Sequence, residues 1–375
     1  MECFSQLVAM PSISSFNPRF DQSNQGVVDL LAGWLSGRGF SVEFLPVKDN
    51  PGKSNLIACA GKGEGGLVLA GHTDTVPYDE SAWQQDPFTL TERDNRLYGL
   101  GTSDMKCFFP IVIDTIRDLD LVKLKKPLYV LATCDEESTM SGARALVNAG
   151  RKLGDYALIG EPTGLKPINM HKGIVMERIR LIGRAGHSSD PGLGISALEG
   201  MNGAINQLLK WRSQIQTENH NPAFKVPVPT LNFGSIGGGD NPNRICSSCE
   251  LTIDIRTLPG MELDEIRAEV KRSVMQAVDG TGLVIEFDSI LPGIPAMHTD
   301  ADSEIISIAE KLAGEPAGTV AFGTEGPFFN AIGMDTVVLG PGDIEQAHQA
   351  NEFLSLDRVE PMQGLLTKLI RHFCM

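Results

Sequence analysis

The spacing of apolar positions changes several times along this chain, and each change marks an element. Residues 25–38 carry Val27, Leu30, Leu31 and Trp34 at helical spacing and stop at Gly37 and Gly39. Residues 40–47 and 54–60 read as strands separated by an Asn50-Pro51-Gly52 turn. Residues 67–70 form a short, wholly apolar run flanked by glycine, the mark of a buried strand. Residues 127–133, 156–159 and 336–339 repeat that signature. Helical patterns cover residues 142–149, 302–313 and 356–374, and a short helix ends near Pro11. Residues 78–95 are polar and turn-rich, a loop with a short hairpin. A helix runs on from about residue 106 to 118. Pro110 either lies in the first turn of a helix that starts late or kinks one that starts early.

The pattern changes after His171. Residues 174–182 alternate like a half-exposed strand, and 195–211 are helical. Residues 230–236 and 248–256 are strands. Residues 262–278 place Leu263, Ile266, Val270 and Val274 on one helical stripe, and 282–287 form a last strand. This β-α-β-β-α-β order is the split βαβ, ferredoxin-like arrangement. The predicted fold is therefore α/β: a mixed-sheet catalytic domain of residues 1–174 and 290–375, interrupted by an inserted ferredoxin-like α+β domain of residues 175–289.

Composition narrows the class. The 375 residues are 42% hydrophobic and 21% charged, with a net charge of −15 and a pI near 4.9. That balance argues against a nucleic-acid or anionic-membrane partner. No basic, apolar leader opens the chain, and no run approaches the roughly 20 apolar residues that span a bilayer, so a cytoplasmic protein is expected. Seven cysteines at irregular spacing do not make a disulfide framework. Cys246 and Cys249 have metal-knuckle spacing but no second pair. They enter a strand-like run where positions three apart face opposite sides.

The chemistry gathers where strands run out. His72 and Asp74 follow the 67–70 strand, and positions two apart in extended backbone face one side. A carboxylate there can orient a metal-ligating imidazole. Glu136 and Glu137 follow the 127–133 strand, Glu161 follows 156–159, and His348 lies in the loop after 336–339. Asp104 sits in a glycine-rich loop at a helix start. Open α/β sheets form their sites outside the carboxyl ends of strands. Carboxylates so close would repel one another, and divalent cations remove that cost. Two histidines and three carboxylates exceed one tetrahedral zinc site; they fit two ions about 3.5–4 Å apart sharing a carboxylate. Asp104 is the natural bridge, with His72 and Glu161 completing one site and Glu137 and His348 the other. Glu136 is left over as a general base, and Asp74 aims His72. A binding module without catalysis has no use for that unliganded base.

These motifs, with Gly183-Arg-Ala-Gly-His-Ser-Ser189 and Gly323-Thr-Glu-Gly-Pro-Phe328, resemble the dimetal aminoacylase/carboxypeptidase family of zinc hydrolases, from about Pro11 to Cys374. The resemblance implies two Zn²⁺, with Co²⁺ or Mn²⁺ as substitutes, a small N-acyl amino acid as substrate, and a homodimer formed through the inserted domain, which also acts as a lid. It implies that His187 helps hold the carbonyl oxygen in a neighbouring active site. It also implies that Arg256 clamps a substrate carboxylate, with Asn243 and Arg244 assisting. The softer segments point to release of acetate from N2-acetyl-L-ornithine. Desuccinylation of succinyl-diaminopimelate, or a broader acylamino-acid or dipeptide hydrolysis, stays open. Glu325 is the expected partner of a substrate ammonium. One departure stands out: Cys107 replaces the glycine usual after Asp-Met-Lys, with crowding of the helix start or sulfur oxidation as the expected consequence.

Overall fold

A computed structural model describes residues 1–48 and 50–375. The chain divides into two compact units, one of Met1–Asn169, His298–Gly318 and Thr324–Met375, the other of Met170–Met297 and Thr319–Gly323. The second unit starts five residues before the expected 175–289 insertion, ends eight residues after it, and adds the separate segment Thr319–Gly323.

The first unit is built on a mixed sheet. Its strands run in the order Ser41–Pro46, Ser54–Ala60, Leu128–Thr133, Leu67–His72, Tyr156–Ile159, Asp335–Val338. The two outer pairings at the Ser41–Pro46 end are antiparallel; the three that follow are parallel. Parallel strands are covered on both faces and so read as continuous apolar runs. Every residue of Leu67–His72 is buried, which is why that stretch shows no alternation. Helices Gln25–Gly37, Phe108–Arg117, Glu304–Ala313 and Val359–Cys374 cover the sheet through Leu31, Ile113, Ile306 and Leu366, which belong to one core.

Register brings the strand ends together. His72 pairs with Thr133, Ala70 with Ile159, and Val338 with Ile159. The loops that leave these four carboxyl ends therefore open on one edge of the sheet. The Phe108–Arg117 helix starts late, with Pro110 in its first turn, where a missing N–H costs nothing.

The second unit has an antiparallel sheet in the order Thr230–Gly238, Ser248–Thr257, Gly173–Ile182, Val284–Ser289. Helices Ala197–Glu218 and Leu263–Val278 complete a β-α-β-β-α-β order. Strand Ser248–Thr257 alternates strictly between buried and half-buried positions, as a sheet packed on one face by helices should. The first helix runs past the expected residue 211, because Ile215 continues its buried stripe into the shared core. Among the short elements that carried too few residues for a periodic signal are strands Ile168–His171 and Phe353–Ser355 and helix Gly326–Ala331. Among the described residues no helix is long and apolar enough to cross a membrane.

Candidate metal centre

His72 is the last residue of its strand and has no exposed surface. Its Nδ1 lies 3.0 Å from the backbone carbonyl of Asp74 and 3.7 Å from the Asp74 carboxylate. The ring nitrogen on that side thus donates to Asp74, and Nε2 is left to face the site. Nε2 lies 3.0 Å from Asp104 Oδ1 and 3.9 Å from Glu161 Oε1. Asp104 turns its other oxygen to the opposite side, where Oδ2 is 3.8 Å from His348 Nε2. The same nitrogen lies 3.0 and 3.2 Å from the two oxygens of Glu137. One carboxylate therefore stands between two histidines, each with a second carboxylate at hand.

Local folding accounts for the placement of Glu161, Glu136 and Glu137. Gly160 lets the strand end that carries Glu161 approach the Phe108–Arg117 helix: a Cβ there would lie 2.3 Å from Phe108 Cγ. The Asp104–Met105 peptide is cis. Asp135 adopts φ +57° and is tied down by Ser141 at 2.6 Å, Asn50 at 3.0 Å and Ser14 at 3.1 Å. Lys53 Nζ meets it at 2.6 Å. This sets the turn from which Glu136 and Glu137 project. Asp74 Oδ2 accepts the Glu137 backbone N–H at 3.0 Å, joining the His72 loop to the Glu137 loop.

The electrostatics are those of crowded like charges. Burial, then the charge of Glu161, pushes Glu136 well above the ordinary carboxylate range. Burial and Asp104 do the same to Glu161. Burial raises Asp74 to about 6. Burial alone would pull His72 down, but Asp104, Glu161, Asp74 and Glu136 together hold it well above the usual imidazole value. The hydrogen bond to Glu137 raises His348 to about 9. Glu161 Oε1 and Asp74 Oδ1 are buried without a hydrogen-bond partner. Ligand atoms of His72, Asp104 and Glu137 lie within 4.8 Å of one another, as do those of His72, Glu136 and Glu161. A carboxylate-and-imidazole set of this kind, with the buried Glu161 Oε1 left without a hydrogen-bond partner 3.9 Å from His72 Nε2, fits divalent cations, whose charge reverses these shifts.

Two residues differ from expectation. Glu325 is fully buried, with Oε2 accepting from the Thr133 hydroxyl at 2.8 Å and burial raising its pKa to about 7. A carboxylate with no exposed surface does not meet a substrate ammonium, so Glu325 belongs to the packing beneath the strand ends. Cys107 is also buried, and burial pushes its thiol up. A protonated, enclosed thiol is neither a metal ligand nor an easy target of oxidation.

His187, Asn243, Arg244 and Arg256 belong to the second unit. Ser188 N–H donates to the Asn243 carbonyl and His187 bridges to Arg244, so three of the four share one loop pair. Arg244 is ion-paired with Asp240 at 2.7 Å. The Arg256 fork closes on Asp254 at 2.8 and 3.1 Å.

Sequence reasoning passed over Lys53, Asp135 and Glu352. Glu352 is buried and accepts from the backbone N–H groups of Gly101, Ser103 and Asp104. Burial raises it to about 8, although those donors pull the other way. The one available signal was Asp135, which opens the Asp-Glu-Glu run.

Comparison with known proteins gives the family and the fold. The model of peptidase family M20/M25/M40 matches residues 68–372. Acetylornithine deacetylase of Pasteurella multocida is 48% identical over 374 residues, covering 100% of this chain and 98% of that protein. Among solved structures, aminopeptidase PepT of Bacillus cereus superposes with a TM-score of 0.76 at 19% identity, covering 99% of this chain and 96% of that one. The YXEP protein of Bacillus subtilis, a dinuclear metal-binding peptidase from the M20 family, has a TM-score of 0.70 at 15% identity, covering 99% and 97%.

Proposed function

Because this chain belongs to peptidase family M20/M25/M40, we propose that it is a two-metal amidohydrolase that cleaves N2-acetyl-L-ornithine into L-ornithine and acetate for arginine synthesis in the cytoplasm. The observation that carries the reaction is the placement of Asp104, one oxygen toward His72 and the other toward His348. The name shared by the full-length relative supports the substrate.

In this reading His72 and Glu161 would hold one ion and Glu137 and His348 the other, with Asp104 shared between them. The ions are Zn²⁺, with Co²⁺ or Mn²⁺ able to substitute. Bound there, they supply Lewis acidity that brings the pKa of a water from 15.7 toward about 7 and polarises the acyl carbonyl. Glu136 takes a proton from the attacking water onto its carboxylate and returns it to the departing amine nitrogen. His187 Nδ1 accepts the Ser189 backbone N–H at 3.2 Å, which leaves Nε2 to donate to a carbonyl oxygen. The ring acts in the neighbouring copy of a homodimer joined through the second unit. Arg256 exchanges Asp254 for the substrate carboxylate, with Asn243 and Arg244 assisting.

The test is to strip the protein with a chelator and restore Zn²⁺ from zero to two equivalents. Ornithine is read by ninhydrin, and acetate and succinate release are followed separately on acetylated and succinylated substrates. Activity should climb to its maximum at two equivalents, with acetate and ornithine in equal amounts. Preferential release of succinate, or hydrolysis indifferent to metal, rejects the assignment.

A further inference from the structure

Glu352 lies close to the residues of the proposed centre, yet the reaction makes no use of it. Its Oε1 accepts from the backbone N–H of Ser103 at 2.7 Å and of Asp104 at 2.9 Å, and its Oε2 from Gly101 at 2.9 Å. The side chain is 2% exposed, so water does not compete for these bonds. A carboxylate that accepts three backbone amides from one four-residue span fixes the path of that span. Its own position is fixed in turn. Strand Phe353–Ser355 pairs with Arg96–Tyr98, Phe353 opposite Tyr98, and the Glu352 carbonyl accepts the Gly99 N–H at 3.1 Å. Four residues before it in the same segment stands His348.

We propose that Glu352 is the positioning residue of the centre: by holding the Gly101–Asp104 backbone against the His348 segment, it sets where Asp104 stands between the two histidines. The proposal rests on the two-metal reading. It assigns Glu352 neither a bond to metal nor a part in proton transfer. Glutamine at this position keeps the shape but turns an N–H₂ donor toward backbone donors, so at least one of the three bonds becomes a repulsion.

The experiment uses the full-length chain with Glu352→Gln, and Glu352→Asp as a second variant that keeps the carboxyl group on a shorter stem. Three quantities are read: Zn²⁺ affinity by competition with a chelator, the d–d absorption of the Co²⁺-loaded protein, and the melting temperature without metal. In Glu352→Gln, affinity should fall about 10- to 100-fold, the range found when groups that orient metal ligands are removed. The Co²⁺ spectrum should change, and kcat should fall far more than KM rises. Glu352→Asp should lie between Glu352→Gln and wild type, and it carries the same three readings if the glutamine variant does not fold. Wild-type affinity and an unchanged Co²⁺ spectrum in a folded variant overturn the proposal, including where only the melting temperature has dropped, because that is the mark of a merely structural role. If the wild-type chain itself takes up no metal, the two-metal reading fails and Glu352 falls with it; if wild type takes up two ions and both variants match it, only Glu352 falls.

Discussion

Asp74 acts on both sides of itself. Its backbone carbonyl receives the His72 ring at 3.0 Å, while its carboxylate receives the Glu137 N–H. Removing only the side chain leaves the first contact in place and cuts the second. Asp74→Ala should therefore keep most of its metal while turnover falls, by no more than about 100-fold. Metal content after gel filtration and kcat on acetylornithine check this; loss of both ions would make Asp74 a ligand itself. The refinement at this position was not legible in the sequence. Spacing put His72 and Asp74 on one face, but whether the ring meets the carboxylate or the carbonyl depends on loop torsions that no pattern records. Glu352 was hidden for a stronger reason. Its partners lie about 250 positions earlier, 249 for Ser103, and a lone glutamate before a short strand has no local signature.

At the scale of elements, the loop that leaves strand Leu128–Thr133 carries Glu136 and Glu137 and owes its shape to Lys53. The ammonium is almost fully enclosed and pairs with Asp135 at 2.6 Å and Asp21 at 2.9 Å. Burial alone would lower its pKa, but the two carboxylates outweigh burial and hold it above the usual 10.5. A raised folded-state pKa contributes stability that is fully present below the unfolded value and is lost as pH rises through the folded one. Lys53→Met should cost about 3–5 kcal/mol near neutral pH, because it strands Asp135 as a buried charge. The gap between wild type and variant should stay level up to about pH 10 and narrow above the ordinary lysine value. Urea melts at several pH values measure it, and a gap that widens with alkali contradicts the sign. The long elements were readable because period and burial coincide, as in Leu263–Val278, where Ile266, Val270 and Val274 are buried. The short ones were not: Gly326–Ala331 spans six residues, too few for a helix to declare itself without the packing that sustains it.

At the scale of the molecule, the change of rhythm after His171 follows a change of sheet, because alternating antiparallel strands differ from the apolar runs of a parallel sheet. What pattern cannot give is the copy in which a residue works. The first unit contains every group of the two-metal set, while His187 belongs to the second. If His187 serves the partner's site, two inactive variants can repair each other. Glu136→Gln lacks the proton acceptor but offers an intact His187, whereas His187→Ala lacks the donor but keeps Glu136. Each variant alone should be nearly inactive while retaining its metal. Mixed in equal amounts and allowed to exchange subunits, half of the dimers are hybrids with one complete site each, so about a quarter of wild-type activity should return. A histidine that serves its own subunit gives no recovery, since every site in a hybrid then still lacks one group. Sedimentation of the mixture, run alongside the assay, ties any recovery to dimers.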